Sequence, residues 1–309
     1  MITLRRAHER HHDRSRDRES WLTFFPETLA SPLANGFGTL EALDEAWLPP
    51  GGRDKDHPPR DSQVVTFVRQ GALAWANSQG RSGLIQTGEF KRMTAGRRIR
   101  HQESNASTTA ALHFFRIGLR PAQADLEPGH EMKRFSVAQR RDGLCVIGSP
   151  DGRRGSLLLH QDALLYSALL DRGTHVIHEL TKGRSAWLHV VTGEATLGDL
   201  TLTTGDGAGL TAERAVSFTA QRPTEILLLD LSDEIRTRLA ASPLGTPAAP
   251  TGLSQPKESG RGRTRRRTNG HRSRSRARGV GHRRARPLAK LAETAVLKAS
   301  APEATAGIS

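Results

Sequence analysis

The stretch Ser185–Gly207, SAWLHVVTGEATLGDLTLTTGDG, carries the pattern that indicates the fold. Its first residues alternate in a way that places successive side chains on opposite faces of a strand. Glycines then separate short β-forming runs at the close spacing that hairpin turns require. The stretch therefore predicts short, neighbouring strands of the kind that build a β-sandwich or a β-barrel.

A second stretch, residues 64–89 (VVTFVRQGALAWANSQGRSGLIQTGE), repeats the same order of features. Each stretch has a β-run, a glycine, a second β-run and a polar turn, and then a glycine before an acidic residue. Those final pairs are Gly88-Glu89 and Gly205-Asp206. The repetition predicts two copies of one β-unit, and so an all-β protein with two similar domains in residues 1–235. Helical periodicity is clear only in residues 232–241, SDEIRTRLAA, where Ser232 is a suitable N-cap.

The net charge of +14 is concentrated at the C-terminus. Residues 251–309 contain 15 Lys+Arg and 3 Asp+Glu, which leaves a net charge of only +2 on residues 1–250. Residues 243–309 are rich in Pro, Gly, Ser and Arg and have few large apolar side chains, which predicts disorder. The basic segment 261–286 could contact nucleic acid without sequence specificity. The alternatives are a solubilising extension or a reading-frame accident in G+C-rich DNA.

The chain contains one cysteine, Cys145, which excludes an intrachain disulfide and any zinc site built on two or four thiolates. We expect Cys145 to be a small buried residue. No apolar run approaches the roughly 18 residues of a membrane helix, and no apolar signal-peptide region follows the basic N-terminus. We therefore expect a cytoplasmic, monomeric protein without membrane contact.

Histidine and acidic side chains in the first β-unit form a candidate metal site. His101 and Glu103 are two residues apart, so on a strand they point to the same face. His57 lies in DHPPRD (56–61), where Pro59 stands at the position that would complete a His-x-His pair. One imidazole and one carboxylate would then lie side by side in a barrel interior, where neither is normally found unpaired. The alternative is a buried, hydrogen-bonded pair of His101 and Glu103 in a barrel without metal.

The block TAGRRIRHQESN (94–105), preceded by Gly51-x5-His57, resembles the two cupin motifs. Together with ESWLTF (19–24), GFGTL (36–40) and PDGRRGSLLLHQDALLY (150–166), it resembles the pirin family of bicupins, which includes bacterial quercetin 2,3-dioxygenases. The resemblance covers about residues 1–231. It implies two cupin-type β-barrels, an N-terminal one in residues 1–128 and a C-terminal one in residues 129–242, with the tail 243–309 outside them.

The resemblance also implies a metal site of three histidines and one glutamate in the N-terminal cupin. His57, His101 and Glu103 match three of these ligands, and the fourth falls on Pro59, which offers no donor atom. Gln63 stands where cupins often have a glutamate. The implied cofactor is one divalent transition metal, iron first, with Cu, Ni, Co, Mn or Zn as alternatives. Without the fourth ligand, we expect weaker binding and a sub-stoichiometric metal content.

The activity that the resemblance implies is the oxygenolytic opening of a flavonol such as quercetin, with O2 as the second substrate. Glu103 would be the catalytic base that takes the proton of the flavonol hydroxyl. The other hypothesis is a metal-poor cupin that acts as a binding or transcriptional-regulatory partner, which pirin itself also allows.

Other histidines are less suited to a metal site. On one strand, His175 and His178 would face opposite sides, and His189 is alone on its strand. The position in the second unit that corresponds to His101 is Phe218, so the second cupin is predicted to lack the metal motif.

Three further predictions concern other histidines. His113 follows Glu103 on the next strand and is an alternative donor for the missing ligand. His160 is expected to hydrogen bond between the domains. A solvated position is expected for His8, His11 and His12.

Overall fold

The computed structural model describes residues 1–25, 31–54, 63–94, 101–123 and 126–233. These residues are almost entirely β, with one short helix, α1 (Val137–Arg140), and single 3-10 turns at Ala7–Glu9 and Arg153–Gly155. The predicted all-β, two-domain architecture is confirmed. In the described ranges, no helix has the length and apolar character to cross a membrane. The predicted disordered tail 243–309 lies outside the described residues.

In chain order, the strands that begin before residue 140 are β1 (Ile2–Arg5), β2 (His11–Arg14), β3 (Glu19–Leu22), β4 (Leu40–Leu48), β5 (Arg53–Asp54), β6 (Gln63–Gln70), β7 (Ala72–Asn77), β8 (Ser82–Gln86), β9 (Glu89–Thr94), β10 (His101–Asn105), β11 (Leu112–Leu119) and β12 (Gly129–Arg134). Those that follow are β13 (Cys145–Ser149), β14 (Leu157–Leu158), β15 (Ala163–Leu170), β16 (His175–Glu179), β17 (Arg184–Thr192), β18 (Glu194–Leu197), β19 (Leu200–Thr203), β20 (Gly207–Thr211), β21 (Ala215–Ala220) and β22 (Thr224–Ser232).

Each domain pairs a seven-stranded sheet with a four-stranded sheet. The first domain has the orders β12-β9-β6-β11-β4-β3-β2 and β5-β10-β7-β8. The second has the orders β1-β20-β17-β22-β15-β13-β14 and β16-β21-β18-β19. Between its two sheets, the second domain packs an apolar core that includes Leu188 and Leu228 from the large sheet and Val216 and Phe218 from the small one. This arrangement is a flattened barrel with a filled interior.

The internal repetition seen in the sequence is present in the strands. β6 to β9 form two nested pairs, β6 with β9 and β7 with β8, and β17 to β20 pair in the same way. Gly88 and Gly205 occupy the matching turns with φ of +81° and +85°, a region that favours glycine. The prediction of two copies of one β-unit is therefore confirmed.

Two strands cross between the domains. β1 pairs with β20 in the second domain, although it begins the chain, and β12 pairs with β9 in the first. The N-terminal amino group donates a 2.7 Å hydrogen bond to the Thr211 carbonyl and also contacts the carboxylate of Glu213. The domain boundary at residues 128 and 129 stays a prediction. β1 lies before this boundary but pairs in the second domain, and β12 lies after it but pairs in the first.

The large sheets of the two domains share one apolar core. Its aromatic side chains include Phe67 and Phe115 from the first domain and Trp187 from the second. Trp187 fits because Gly207 faces it: a Cβ at Gly207 would lie 2.3 Å from Cζ2 of the indole. The shared core couples the two domains into one packed unit.

Two expectations differ from the structure. Ser232 does not cap a helix but is the last residue of β22, opposite Arg184, because the apolar run TEILLLDLS is buried throughout. The rest of the predicted helix, from residue 234, lies outside the described residues. Cys145 is half-buried, packs against the shared core, and has a thiol pKa that burial raises.

Candidate metal centre

β10 places the two described candidate ligands on one strand. The strand lies between β5 and β7, and Glu103 is opposite Asp54 on one side and Trp75 on the other. His101 and Glu103 are both half-buried, and their spacing of two gives them the same face of the strand. The sequence-based juxtaposition of one imidazole and one carboxylate is therefore present in the fold.

The third and fourth positions of the predicted ligand set, His57 and Pro59, lie outside the described residues. Within the described ranges, no cluster of three or more His, Cys, Asp or Glu side chains is arranged to hold a metal ion. His101 and Glu103 have the donor chemistry for a transition metal, and His57 is the predicted third donor. The three-ligand site thus remains a prediction.

Glu103 has a cationic partner that the sequence analysis did not identify. The Arg116 Nη2 donates to Oε2 of Glu103 and also lies 2.5 Å from Oδ2 of Asp54. The side chains of Arg116, Glu103 and Asp54 are 17%, 11% and 0% exposed. Burial opposes the charged form of Arg116, but the two carboxylates outweigh it and raise its pKa above the usual value. Arg116 therefore remains a cation next to the predicted metal ligand.

Further charged side chains surround Arg116 and Glu103. We call the set the charge cluster, and its members are Asp44, Asp54, Glu103, Arg18, Lys91 and Arg116. Burial raises the pKa of Asp44 to about 6, against the lowering effect of Arg116 and Arg18. Burial likewise lowers the pKa of Lys91 to about 8, although Glu103 favours its charged form. Both shifts have the sign expected for charges removed from water.

An aromatic cleft adjoins His101. Its lining includes Trp75, Lys91, His101 and His130. The Lys91 ammonium lies 3.3 Å from the centroid of the Trp75 ring, and His130 contacts the same indole edge-on at 5.1 Å. Burial, and then the charge of Lys91, lower the pKa of His130. The cleft thus combines an indole with two basic side chains, Lys91 and Arg81, which suits an anionic ligand.

His113 is not an alternative ligand. It lies on β11, where alternation places it on the face opposite to Arg116, and it is buried. Its Nε2 lies 2.8 Å from Oε1 of Glu45, and its ring stacks on Trp47 at 4.1 Å. The prediction that His113 could supply the missing donor is wrong, because the period of two turns its side chain away from Glu103.

The polar contacts of residue 160 connect the domains as expected. The backbone N–H of His160 donates to Oε1 of Gln63 at 3.0 Å, and its carbonyl accepts from the N–H of Ala122 at 2.9 Å. Gln63 is therefore engaged with the second domain.

In the second domain, the position that corresponds to His101 is part of the apolar core. Phe218 lies on β21 and is buried between the two sheets. His175 and His178 have separate partners, Thr219 and Asp230, each at 2.8 Å, as their predicted opposite orientation requires. His189 is fully buried in β17.

The N-terminal histidines differ in their surroundings. His8 and His12 are exposed, as predicted, and Nε2 of His12 lies 3.0 Å from Oε1 of Glu19. His11 is half-buried because its ring stacks on Phe25 at a centroid distance of 3.8 Å. The prediction of a solvated position is wrong for His11.

Comparisons with known proteins cover most of the described chain. The family described as Pirin matches residues 10–119, and the family described as the quercetinase C-terminal cupin domain matches residues 146–231. The chain is 35% identical over 231 residues to the quercetin 2,3-dioxygenase of Escherichia coli K12, which covers 75% of this chain and 99% of that protein.

Solved structures of related proteins are also similar to this chain. The crystal structure of bacterial pirin YhhW from Escherichia coli in complex with nickel(II) is 34% identical, with a TM-score of 0.70 over 75% of this chain and 99% of that one. A quercetin 2,3-dioxygenase from Acinetobacter baumannii is 19% identical and matches with a TM-score of 0.60 over 72% of this chain and 84% of its own. The second likeness concerns the fold alone.

Proposed function

Because the chain belongs to the pirin family of bicupins, we propose that it is a metal-dependent dioxygenase of the quercetin 2,3-dioxygenase type. The observation that carries the proposal is the pairing of His101 and Glu103 on one face of β10, beside an aromatic cleft. The similarity to a quercetin 2,3-dioxygenase along nearly its whole length supports the same activity. The substrates would be a flavonol and O2.

In this proposal, His57, His101 and Glu103 hold one divalent transition metal, iron first. The similarity to a pirin solved in complex with nickel(II) supports a bound transition metal. When bound, the metal would supply Lewis acidity toward the oxygen of the flavonol hydroxyl. Pro59 contributes no donor, so three protein ligands have to provide all of the affinity.

The residues around the site have distinct parts in this reaction. Glu103 would take the proton of the flavonol hydroxyl, and Arg116 orients its carboxylate by contact with Oε2. The Trp75 indole would form part of the wall against which the substrate lies. Lys91, beside that indole, would attract the resulting flavonolate anion. In this proposal, substrate binding involves side chains of the cleft, and proton transfer involves Glu103, which lies opposite Trp75 on the neighbouring strand.

A second function is favoured by one observation. Glu103 is already paired with Arg116, and a metal-poor protein of this kind would act as a binding or transcriptional-regulatory partner. Non-specific nucleic-acid contact through residues 261–286 would fit that function, but this segment lies outside the described residues. A cytoplasmic location and a monomeric state also remain predictions.

The test is oxygen consumption with quercetin by the full-length protein loaded with Fe(II) or Ni(II). We expect quercetin-dependent uptake of O2, and a loss of at least about 100-fold in His101→Ala because one of three ligands is removed. His175→Ala is the matched control: this exposed histidine bonds Thr219 in the second domain, and we expect full activity. Equal rates in His101→Ala and the parent protein, or no uptake by the loaded parent, would contradict the proposal and favour the binding function.

A further inference from the structure

The charge cluster is electrically balanced by protein side chains alone. It contains three carboxylates, Asp44, Asp54 and Glu103, and three basic groups, Arg18, Lys91 and Arg116, within the described part of the chain. Most of these side chains are removed from water, where unbalanced charge is costly. A divalent cation bound beside Glu103 would therefore add two charges to a cluster that is already neutral.

Arg116 is the basic group closest to the predicted metal ligand. Its Nη2 contacts two carboxylates, Oε2 of Glu103 and Oδ2 of Asp54, which lie opposite each other on the paired strands β10 and β5. β11 fixes its position, because Arg116 lies opposite Asp44 on β4 and Thr66 on β6. The guanidinium is thus anchored by strand pairing on both sides rather than carried on a mobile loop.

We propose that Arg116 sets the metal affinity of this site by holding Glu103 in an ion pair that a divalent cation has to share or displace. The proposal rests on the assignment of Glu103 as a ligand in the proposed function. It makes Arg116 a positioning residue: it does not bind the metal, but it determines how much of the Glu103 carboxylate is available to it.

Arg116 is expected to lower the metal affinity of the site through two physical effects. A guanidinium and a divalent cation that share one carboxylate repel each other, and the low-dielectric surroundings screen this repulsion poorly. The cation also has to divert Oε2 from a charge-assisted hydrogen bond, which is among the stronger hydrogen bonds in proteins. Both effects lower metal affinity, and they add to the loss of the donor at Pro59.

The test is nickel(II) titration of metal-free, full-length protein by isothermal calorimetry. We expect Arg116→Met to bind nickel at least about tenfold more tightly than the parent, since Glu103 and Asp54 then lack their shared cation. Arg140→Met is the matched control: Arg140 is also largely buried and pairs with Glu225 at 3.0 Å, far along the chain from Glu103. We expect Arg140→Met to be less stable but to have the parent dissociation constant.

A second variant keeps the charge cluster balanced if Arg116→Met does not fold. Arg116→Met with Asp54→Asn removes one charge of each sign and still frees Glu103, so the same tightening of about tenfold is expected. Adding Glu103→Gln to either variant should abolish the gain. A folded variant with the dissociation constant of the parent would overturn the proposal, as would a gain that persists in Glu103→Gln.

The calorimetric result can be distinguished from the result of the oxygen-consumption test, because calorimetry measures metal binding and oxygen consumption measures turnover. If the loaded parent consumes O2 but the Arg116 variants bind nickel no more tightly, the inference fails and the dioxygenase proposal stands. If the variants bind more tightly but no form consumes O2 with quercetin, the inference stands and the dioxygenase proposal fails.

Discussion

Replacing Trp187 with alanine is expected to lower the free energy of unfolding by about 3–5 kcal/mol. Trp187 is fully buried in the core shared by the two domains, and its indole contacts Phe24 at 5.0 Å and Phe37 at 5.5 Å between ring centroids. Gly207 on the facing strand leaves the space that the indole fills. Neighbouring strands cannot close the resulting cavity, because each is held in its sheet by pairing on both sides.

Chemical denaturation of Trp187→Ala and the parent protein measures this effect. Trp21→Ala is the control: Trp21 is only half-buried and stacks on His12 at 4.9 Å, so we expect a loss below about 2 kcal/mol. Similar losses in the two variants would show that the shared core does not have the importance that its packing indicates. Because both domains contribute to this core, we expect Trp187→Ala to shift a single unfolding transition.

Acidification is expected to remove about 4 kcal/mol of stability through His189 between pH 6.5 and pH 3. Burial lowers the pKa of His189 from 6.5 to about 3, and the charge of Arg10 adds to this effect. The folded pKa is lower than the unfolded one, so only the unfolded chain takes up the proton in this window. Stability is therefore unaffected above pH 6.5 and falls as the pH decreases toward 3.

The measurement is the free energy of unfolding at several pH values for the parent and His189→Leu. Leucine has a similar volume and does not titrate, and neither ring nitrogen of His189 hydrogen bonds to a described residue. We expect the two proteins to differ little at pH 7 and the variant to be more stable by about 3 kcal/mol near pH 4.5. Parallel pH profiles would contradict the neutral, buried state of this imidazole. The pKa of Glu45 is lowered to about 2, so its protonation also decreases the stability of both proteins as the pH falls below 4.5.

The fold could be predicted from the sequence because local and global signals agree. The alternation in residues 185–191 and the repeated order of runs and glycines both indicate paired antiparallel strands. Ser232 misled the prediction because a capping residue before a periodic segment is a local signal. The burial of β22 between β15 and β17 outweighs it. Sheet packing of this kind is a tertiary effect that a short window of sequence does not contain.

The candidate site was only half predictable. A spacing of two on β10 correctly placed His101 and Glu103 on one face, because strand geometry is local. The role of Arg116 depends on how β11, in the seven-stranded sheet, packs against the β5–β10 pair of the four-stranded sheet, which the sequence does not specify. One signal was available: in ALHFFRIGL, alternation gives Arg116 the same face as the buried Phe114 and the opposite face to His113. The same alternation would have excluded His113 as a ligand.

The metal content of the parent protein and of Pro59→His tests most directly whether His57, His101 and Glu103 form a three-ligand site. Both proteins are exposed to the same excess of metal, dialysed, and analysed for metal per chain by elemental analysis. We predict less than one metal per chain in the parent and a rise toward one in Pro59→His, since the new imidazole completes the four-ligand set. A metal content near zero in both proteins would show that these side chains do not converge on a common cation.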